Sequence, residues 1–203
     1  MDDEYIIFTG RPNAGKSTAI RALTGLKVPI GKKPGTTTKI NTYRVGKSII
    51  LVDMPGYGRK VGAPREWEDR VKNSILDFIE KNATYIAAAV HVLNISTFLE
   101  VESRLARKGF ISLDVEMIEY IQKVTGDYPL IAANKIDKGN EAVIISNVEA
   151  LIDRINLEDG LDANDYVFPV SLKNKVGVGQ LKDALAKRLT SRGHRKPFEL
   201  VHR

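Results

Sequence analysis

The 203-residue chain contains no cysteine. Disulfides, thiolate catalysis and cysteine-ligated zinc are therefore excluded, and the lack fits a reducing compartment. No apolar run is long enough to span a bilayer, so no membrane association is expected. The acidic start Met1-Asp2-Asp3-Glu4 lacks the basic and apolar regions of a secretory leader, and a cytoplasmic location is expected. Histidine is scarce, with three residues. His91 falls within an apolar run and reads as packed core, while His194 and His202 lie near the end. No His/Asp/Glu cluster has the spacing of metal ligands. Internal repeats, low-complexity segments and an interior domain boundary are also missing. The expected organisation is one domain over residues 1–190, taken to be monomeric, and a basic tail over 191–203.

What is present is an ordinary globular composition, 43% hydrophobic and 28% charged, with a formal net charge of +6. The positive excess favours a polyanionic partner, nucleic acid above others. Apolar strand-like runs alternate with amphipathic stretches. That pattern predicts an α/β fold with a mostly parallel sheet covered by helices on both faces. Strands are expected near residues 5–9, 39–45, 48–53, 85–95, 129–133 and 166–170. The short Gly46-Lys47 turn makes the second and third antiparallel. Helices are expected near 17–23, 66–82, 113–124, 141–157 and 178–189. Ser96 to Ser112 is mixed in charge and reads as irregular. Loops rich in glycine and proline are expected at 29–38 and 54–64.

Gly10-Arg11-Pro12-Asn13-Ala14-Gly15-Lys16-Ser17 matches G-x-x-x-x-G-K-[ST] between a strand and a helix, the context a phosphate-binding loop requires. Its glycines let backbone N–H groups converge on an anion at a helix N-terminus. Lys16 is expected on the β- and γ-phosphates, Ser17 on Mg²⁺, and Thr18 beside them. Asp53-Met54-Pro55-Gly56 then follows a strand and fits D-x-x-G. Its carboxylate suits a Mg²⁺-bound water and the Gly56 N–H suits a γ-phosphate oxygen. Gly35-Thr36-Thr37 is the candidate first switch, with Thr37 completing the magnesium shell.

Asn134-Lys135-Ile136-Asp137 carries the base preference. Guanine presents two donors on one edge, which a carboxylate at Asp137 can accept; adenine presents neither, and would leave a charge unpaired. Val170-Ser171-Leu172-Lys173 ends the last strand and suits guanine O6 through a backbone N–H, with Lys173 over the ring. Alone, each short string also fits an ordinary strand-end turn. Together they occur in one order at the strand ends, where open α/β sheets bind ligands. That agreement points to GTP or GDP with Mg²⁺.

On these residues the chain resembles the EngB family, within the TrmE–Era–EngA–EngB–septin-like group of GTPases. The likeness runs from Tyr5 to about Leu189. It rests on the phosphate loop, Lys32-Lys33-Pro34-Gly35-Thr36-Thr37 followed by Ile40-Asn41, Asp53-Met54-Pro55-Gly56-Tyr57-Gly58, Asn134-Lys135-Ile136-Asp137 and Ser171-Leu172-Lys173. The resemblance implies a P-loop GTPase fold of three layers: a six-stranded sheet with one antiparallel edge strand, and five helices. It also implies Mg²⁺-dependent GTP hydrolysis and a role in large-ribosomal-subunit assembly, with a link to cell division and septation. A GTP-dependent interaction module in cell division is the alternative. Ser96 to Ser112 is longer than the stretch usual in that family.

Many GTPases place a water-orienting glutamine directly after D-x-x-G. Tyr57 stands there, and no arginine is evidently positioned in cis, so slow intrinsic hydrolysis is expected. Relatives with asparagine at the position of Asn13 use it to hold K⁺ beside the phosphates. The resemblance thus implies K⁺ stimulation, and the alternative is that Asn13 bonds within its own loop. Catalytic candidates are Lys16, Thr37, Gly56 and Asn13. Basic residues gather around both candidate switches (Lys32, Lys33 and Lys39; Arg59, Lys60 and Arg65) and at the end (Lys182, Lys187, Arg188, Arg192, Arg195, Lys196 and Arg203). Ribosomal RNA is the expected partner, through a surface that GTP orders.

Overall fold

A computed structural model describes residues 3–29, 39–45, 47–58 and 64–194. The candidate switch residues Gly35, Thr36 and Thr37 lie outside the described residues, as do Lys32, Lys33, Arg59, Lys60, Arg195, Lys196, His202 and Arg203.

Six strands form one sheet: β1 (Glu4–Thr9), β2 (Asn41–Val45), β3 (Ile49–Asp53), β4 (Ile86–Asn94), β5 (Leu130–Asn134) and β6 (Val167–Val170). Their order is β2-β3-β1-β4-β5-β6. Only the edge pair β2–β3 is antiparallel, with Tyr43 opposite Leu51. This matches the mixed sheet with one antiparallel edge strand expected from the short 46–47 turn.

Side-chain alternation divides the core. Ile6, Phe8, Leu51, Val90, Val92 and Ala132 face α1 (Lys16–Thr24) and α6 (Val178–Ser191), which supply Ile20, Leu23, Leu181, Leu185 and Leu189. The opposite faces of the same strands carry Ile7, Val52 and Ala89, which meet Val71, Ile75 and Ile79 of α2 (Arg65–Lys81) and Met117 and Ile121 of α4 (Leu113–Thr125). Leu93, Ile131 and Ala133 meet α5 (Glu141–Ile155) through Leu151 and Ile155. Both strand faces are buried, as a parallel sheet between helical layers requires. Among the described residues no helix is long and apolar enough to cross a membrane.

The stretch 96–112 corrects the expectation of an irregular segment. A 3-10 turn, Ile95–Thr97, leads into α3 (Phe98–Ala106). Phe98, Val101 and Leu105 recur at helical spacing, and Phe98 is buried. The charge pattern misleads because Glu102 points inward, 7% exposed, and meets Arg154 of α5 at 3.5 Å. The Asn147 side chain accepts the Leu99 N–H at 3.1 Å, satisfying an open donor of the first turn from far along the chain. The helix ends in a Schellman arrangement: Gly109, with φ 71°, donates to Ala106, and Phe110 donates to Leu105. The described residues thus hold six α-helices rather than the five that the resemblance implied.

Candidate functional site

The loop 10–15 leaves β1 at its C-terminal end and opens α1. Gly15 has φ 117°, and a Cβ there would lie 2.5 Å from the Asn134 side-chain nitrogen. A side chain is excluded twice, by backbone conformation and by the neighbouring loop. Lys16 is 7% exposed, and its Nζ donates to the carbonyls of Gly10 and Arg11 at 2.9 Å each. Burial lowers its pKa from 10.5 to about 8, against the pull of Asp53 and Asp114 upward. An ammonium held this way, with only carbonyl partners, gains most from an incoming anion. Asn13 is exposed with φ 60°, and its side chain makes no hydrogen bond among the described residues. The alternative that it bonds within its own loop finds no contact there. Pro12, Ala14 and Thr18 complete the loop and first turn; Ala14 is buried.

Asp53 ends β3 beside this loop. Ser17 Oγ donates to Asp53 Oδ2 at 2.8 Å, while the buried Oδ1 has no partner among the described residues. Burial raises the Asp53 pKa, with Ser17 and Lys16 opposing. A hydroxyl and an unsatisfied carboxylate oxygen make a hard-oxygen pair of the kind Mg²⁺ accepts together with water and phosphate. The residues present therefore fit that ion. Met54 and Pro55 are buried, and Gly56 packs so closely on the phosphate loop that a Cβ would sit 2.6 Å from the Pro12 nitrogen.

Tyr57, following Gly56, turns inward and is 2% exposed. Its hydroxyl donates to Asp114 Oδ1 at 3.3 Å, and Asp114 Oδ2 lies 2.8 Å from Arg11 Nε. That Arg11 contact is one of charge, because the Nε–H makes no hydrogen bond. His91 Nε2 stands 3.3 Å from Asp114 Oδ1, and its Nδ1 lies 2.9 Å from Thr9 Oγ1. His91 is thus packed core, as expected, although its surroundings are polar. Despite its burial, Asp114 is held below the usual carboxylate range by His91, Arg11 and Tyr57. Burial, followed by the Asp114 charge, drives the Tyr57 pKa far up. The cluster ties the phosphate loop to the segment after D-x-x-G. Sequence reasoning missed it. Asp114 sits in the first turn of α4, and nothing in its local pattern marks it as a partner for Arg11.

The base-selecting candidates meet the phosphate loop through Asn134. Its Nδ2 donates to the Ala14 carbonyl at 2.7 Å and its Oδ1 accepts from the Leu172 N–H at 3.1 Å. One side chain therefore spans three loops. Lys135 has φ 74° and is half-buried, with its pKa lowered chiefly by that burial. Ile136 is partly buried beside it. Asp137 is exposed; Ser171 Oγ donates to its Oδ1 at 2.6 Å, and that bond leads in lowering its pKa. Val170, Ser171 and Leu172 are buried, and Lys173 is exposed. The described candidates therefore gather at the C-terminal ends of β1, β3, β5 and β6.

Two cations of the last helix are held by the fold. Arg188 reaches Asp127 at 3.2 Å and lies 5.3 Å above the Tyr166 ring, and Arg192 pairs with Glu4 at 2.6 Å. Buried His194 also meets Glu4.

Residues 5–135 match the family described as 50S ribosome-binding GTPase. The chain is 38% identical to a probable GTP-binding protein EngB of Archaeoglobus fulgidus over 192 residues, 94% of both chains. It is 35% identical to the Methanopyrus kandleri protein of that name, over 93% of this chain and 94% of the other. A crystal structure of a probable GTP-binding protein EngB superposes with a TM-score of 0.81 at 34% identity, over 93% of this chain and 100% of that one. Aquifex aeolicus Era, at 21% identity and a TM-score of 0.64 over 100% of this chain and 61% of the other, shares the fold. The chain belongs to the EngB family of GTP-binding proteins.

Proposed function

We propose that the chain is a slow, Mg²⁺-dependent GTPase switch of the cytoplasm that works as a monomer in assembly of the large ribosomal subunit. The observation that carries the nucleotide site is the gathering of Lys16, the Ser17–Asp53 pair and Asp137 at one rim of the sheet, with Asn134 joining their loops. The family's description as ribosome-binding and the charge of +6 favour an RNA-containing partner.

In this reading, residues 10–18 receive the phosphates on backbone N–H groups and on the Lys16 ammonium. Ser17, Thr37 and Asp53 would hold Mg²⁺, Asp53 by way of water. When bound, that ion neutralises charge between the β- and γ-phosphates. Gly35, Thr36 and the Gly56 N–H follow the γ-phosphate, so loss of that group frees the segments attached to it. Asp137 accepts the two guanine donors, with Ser171 fixing the carboxylate. Lys135 and Lys173 cover the ring, flanked by Ile136 and Leu172.

Hydrolysis joins water to the γ-phosphorus and releases GDP, phosphate and a proton. Tyr57 is committed to Asp114 and Arg11 to the same carboxylate, so neither orients water nor meets the developing charge. The unassisted rate is then expected near the roughly 10⁻⁴–10⁻² s⁻¹ of unaided switches. The exposed Asn13 side chain is offered to K⁺, which supplies positive charge beside the phosphates when bound. KCl should accelerate turnover well above matched NaCl, and equal rates remove Asn13 from that role. Sedimentation with purified ribosomal subunits tests the biological half. Large subunits should retain the protein with a non-hydrolysable GTP analogue and release it with GDP. Indifference to both nucleotides would favour a cell-division interaction module.

A further inference from the structure

An open cleft of about 470 Å³ runs between Lys39 and Ile40, just before β2, and one stripe of α2. The stripe is Trp67, Arg70, Val71 and Ser74, the spacing that puts side chains on a single helix face. Ile40, Trp67 and Val71 form its apolar base and pack on the core beneath the sheet. Trp67 is only half-buried, so part of the indole faces the cleft. Lys39 and Arg70 are exposed, and neither makes an ion pair among the described residues. Arg70 Nε donates to the Glu66 carbonyl at 3.2 Å, which braces the side chain without neutralising it. Glu66 stands one turn before Arg70, but no carboxylate is among the described lining residues.

An aromatic face with two uncompensated cations is a recurring arrangement for unpaired nucleotides. The indole stacks on a base of any kind, and the cations meet the phosphates on either side. Duplex RNA would offer its bases to neither. An acidic peptide would satisfy the cations but carries no flat group to lie on the exposed part of the indole. We propose that this cleft docks a single-stranded RNA segment, with one base on Trp67 and flanking phosphates on Lys39 and Arg70. The cleft's walls directly follow the chain segments that the sequence assigns to the two switches, so occupancy is expected to depend on nucleotide. This deepens the RNA-partner reading above and rests on it.

Trp67 is the only tryptophan in the chain, so its fluorescence reports this cleft alone. Oligouridylate and oligoadenylate are titrated into the protein with a GTP analogue or GDP. Tryptophan emission and filter binding are read in parallel. Expected are saturable quenching at the midpoint found by filter binding, and tighter binding with the GTP analogue. Lys39→Ala and Arg70→Ala should each weaken binding about fivefold and reduce the salt slope by about one. Trp67→Leu should weaken it about tenfold with the salt slope intact. Melting curves identify any variant that merely unfolds; the two exposed cations keep the test open if Trp67→Leu does so.

RNA that binds on filters with emission unchanged, and with both cation variants behaving as wild type, overturns the cleft but leaves the RNA-partner reading standing. No binding by either readout overturns both. Polyglutamate that quenches as strongly as RNA, at the same midpoint, assigns the cleft to an acidic peptide and also overturns the proposal.

Discussion

The two ends of the sheet treat their polar side chains differently. At the C-terminal end, Asp53 keeps a buried oxygen without a partner among the described residues, and burial has lowered the Lys16 ammonium to a pKa of about 8. At the other end, Glu4 at the start of β1 receives both Arg192 and His194 from the close of α6, and Arg188 is matched by Asp127. Buried polar groups ordinarily find partners, so the rim that leaves them open is the one shaped for something not of this chain. The satisfied rim reads as the clasp that docks α6 on β1. The Asp114 cluster belongs to neither kind. It lies under the open rim with its charges paired among themselves, as a support for the loops above it.

This contrast can be broken from either side. The largest effect is expected at the support. Asp114→Ala strands Arg11 and Tyr57 and should cost about 3–5 kcal/mol in denaturant unfolding, the range for breaking a buried charged pair. A loss under about 1 kcal/mol would mean the cluster supports nothing.

Next comes Lys16→Ala. It should abolish measurable triphosphate binding by calorimetry while leaving the melting temperature of the free protein unchanged or raised, because a buried ammonium with a lowered pKa opposes folding. A fall of several degrees would move Lys16 to the structural class.

Glu4→Gln should do the reverse, costing about 1–2 kcal/mol of stability with nucleotide affinity intact. The Glu4 pKa is lowered by Arg192 and His194 against the opposing effect of burial. Its contribution should therefore be present above the ordinary Glu value of 4.5 and disappear as pH falls through the folded pKa. Unfolding curves of wild type and Glu4→Gln should accordingly converge under strong acid.

The last test is on the alkaline side. Between about pH 8 and 10.5 the unfolded chain keeps a proton that folded Lys16 has released. Over that window the wild type should gain stability with rising pH relative to Lys16→Met. A difference that stays flat would contradict the burial argument.

Much of the arrangement was legible because its signals are local. The Gly10–Ser17 string announces a strand, a turn and a helix within a few residues. Asp53, Asn134 and Ser171 each close an apolar run. The sheet followed from alternating runs and from one short turn. What escaped depends on distant partners. Glu102 looks like a surface charge until Arg154 is brought to it, and Leu99 has a helix start capped from Asn147. Asp114 has no pattern of its own, and its importance appears only where Arg11, Tyr57 and His91 converge. The same distance hid the Trp67 stripe. Periodicity marks Trp67 as core-facing, and only the open space beyond Ile40 shows that the indole is half-covered.

The most direct test of the central claim is calorimetric titration of the folded protein with GTP, ATP and xanthosine triphosphate in Mg²⁺ buffer, repeated on Asp137→Asn. The wild type should bind GTP and reject ATP by roughly 10⁴-fold or more, the discrimination expected where the wrong base leaves the Asp137 carboxylate covered but unpaired. In the variant the preference should pass to xanthosine, whose carbonyl accepts from the new amide. Equal affinity for GTP and ATP, or a base preference untouched by the substitution, would contradict it.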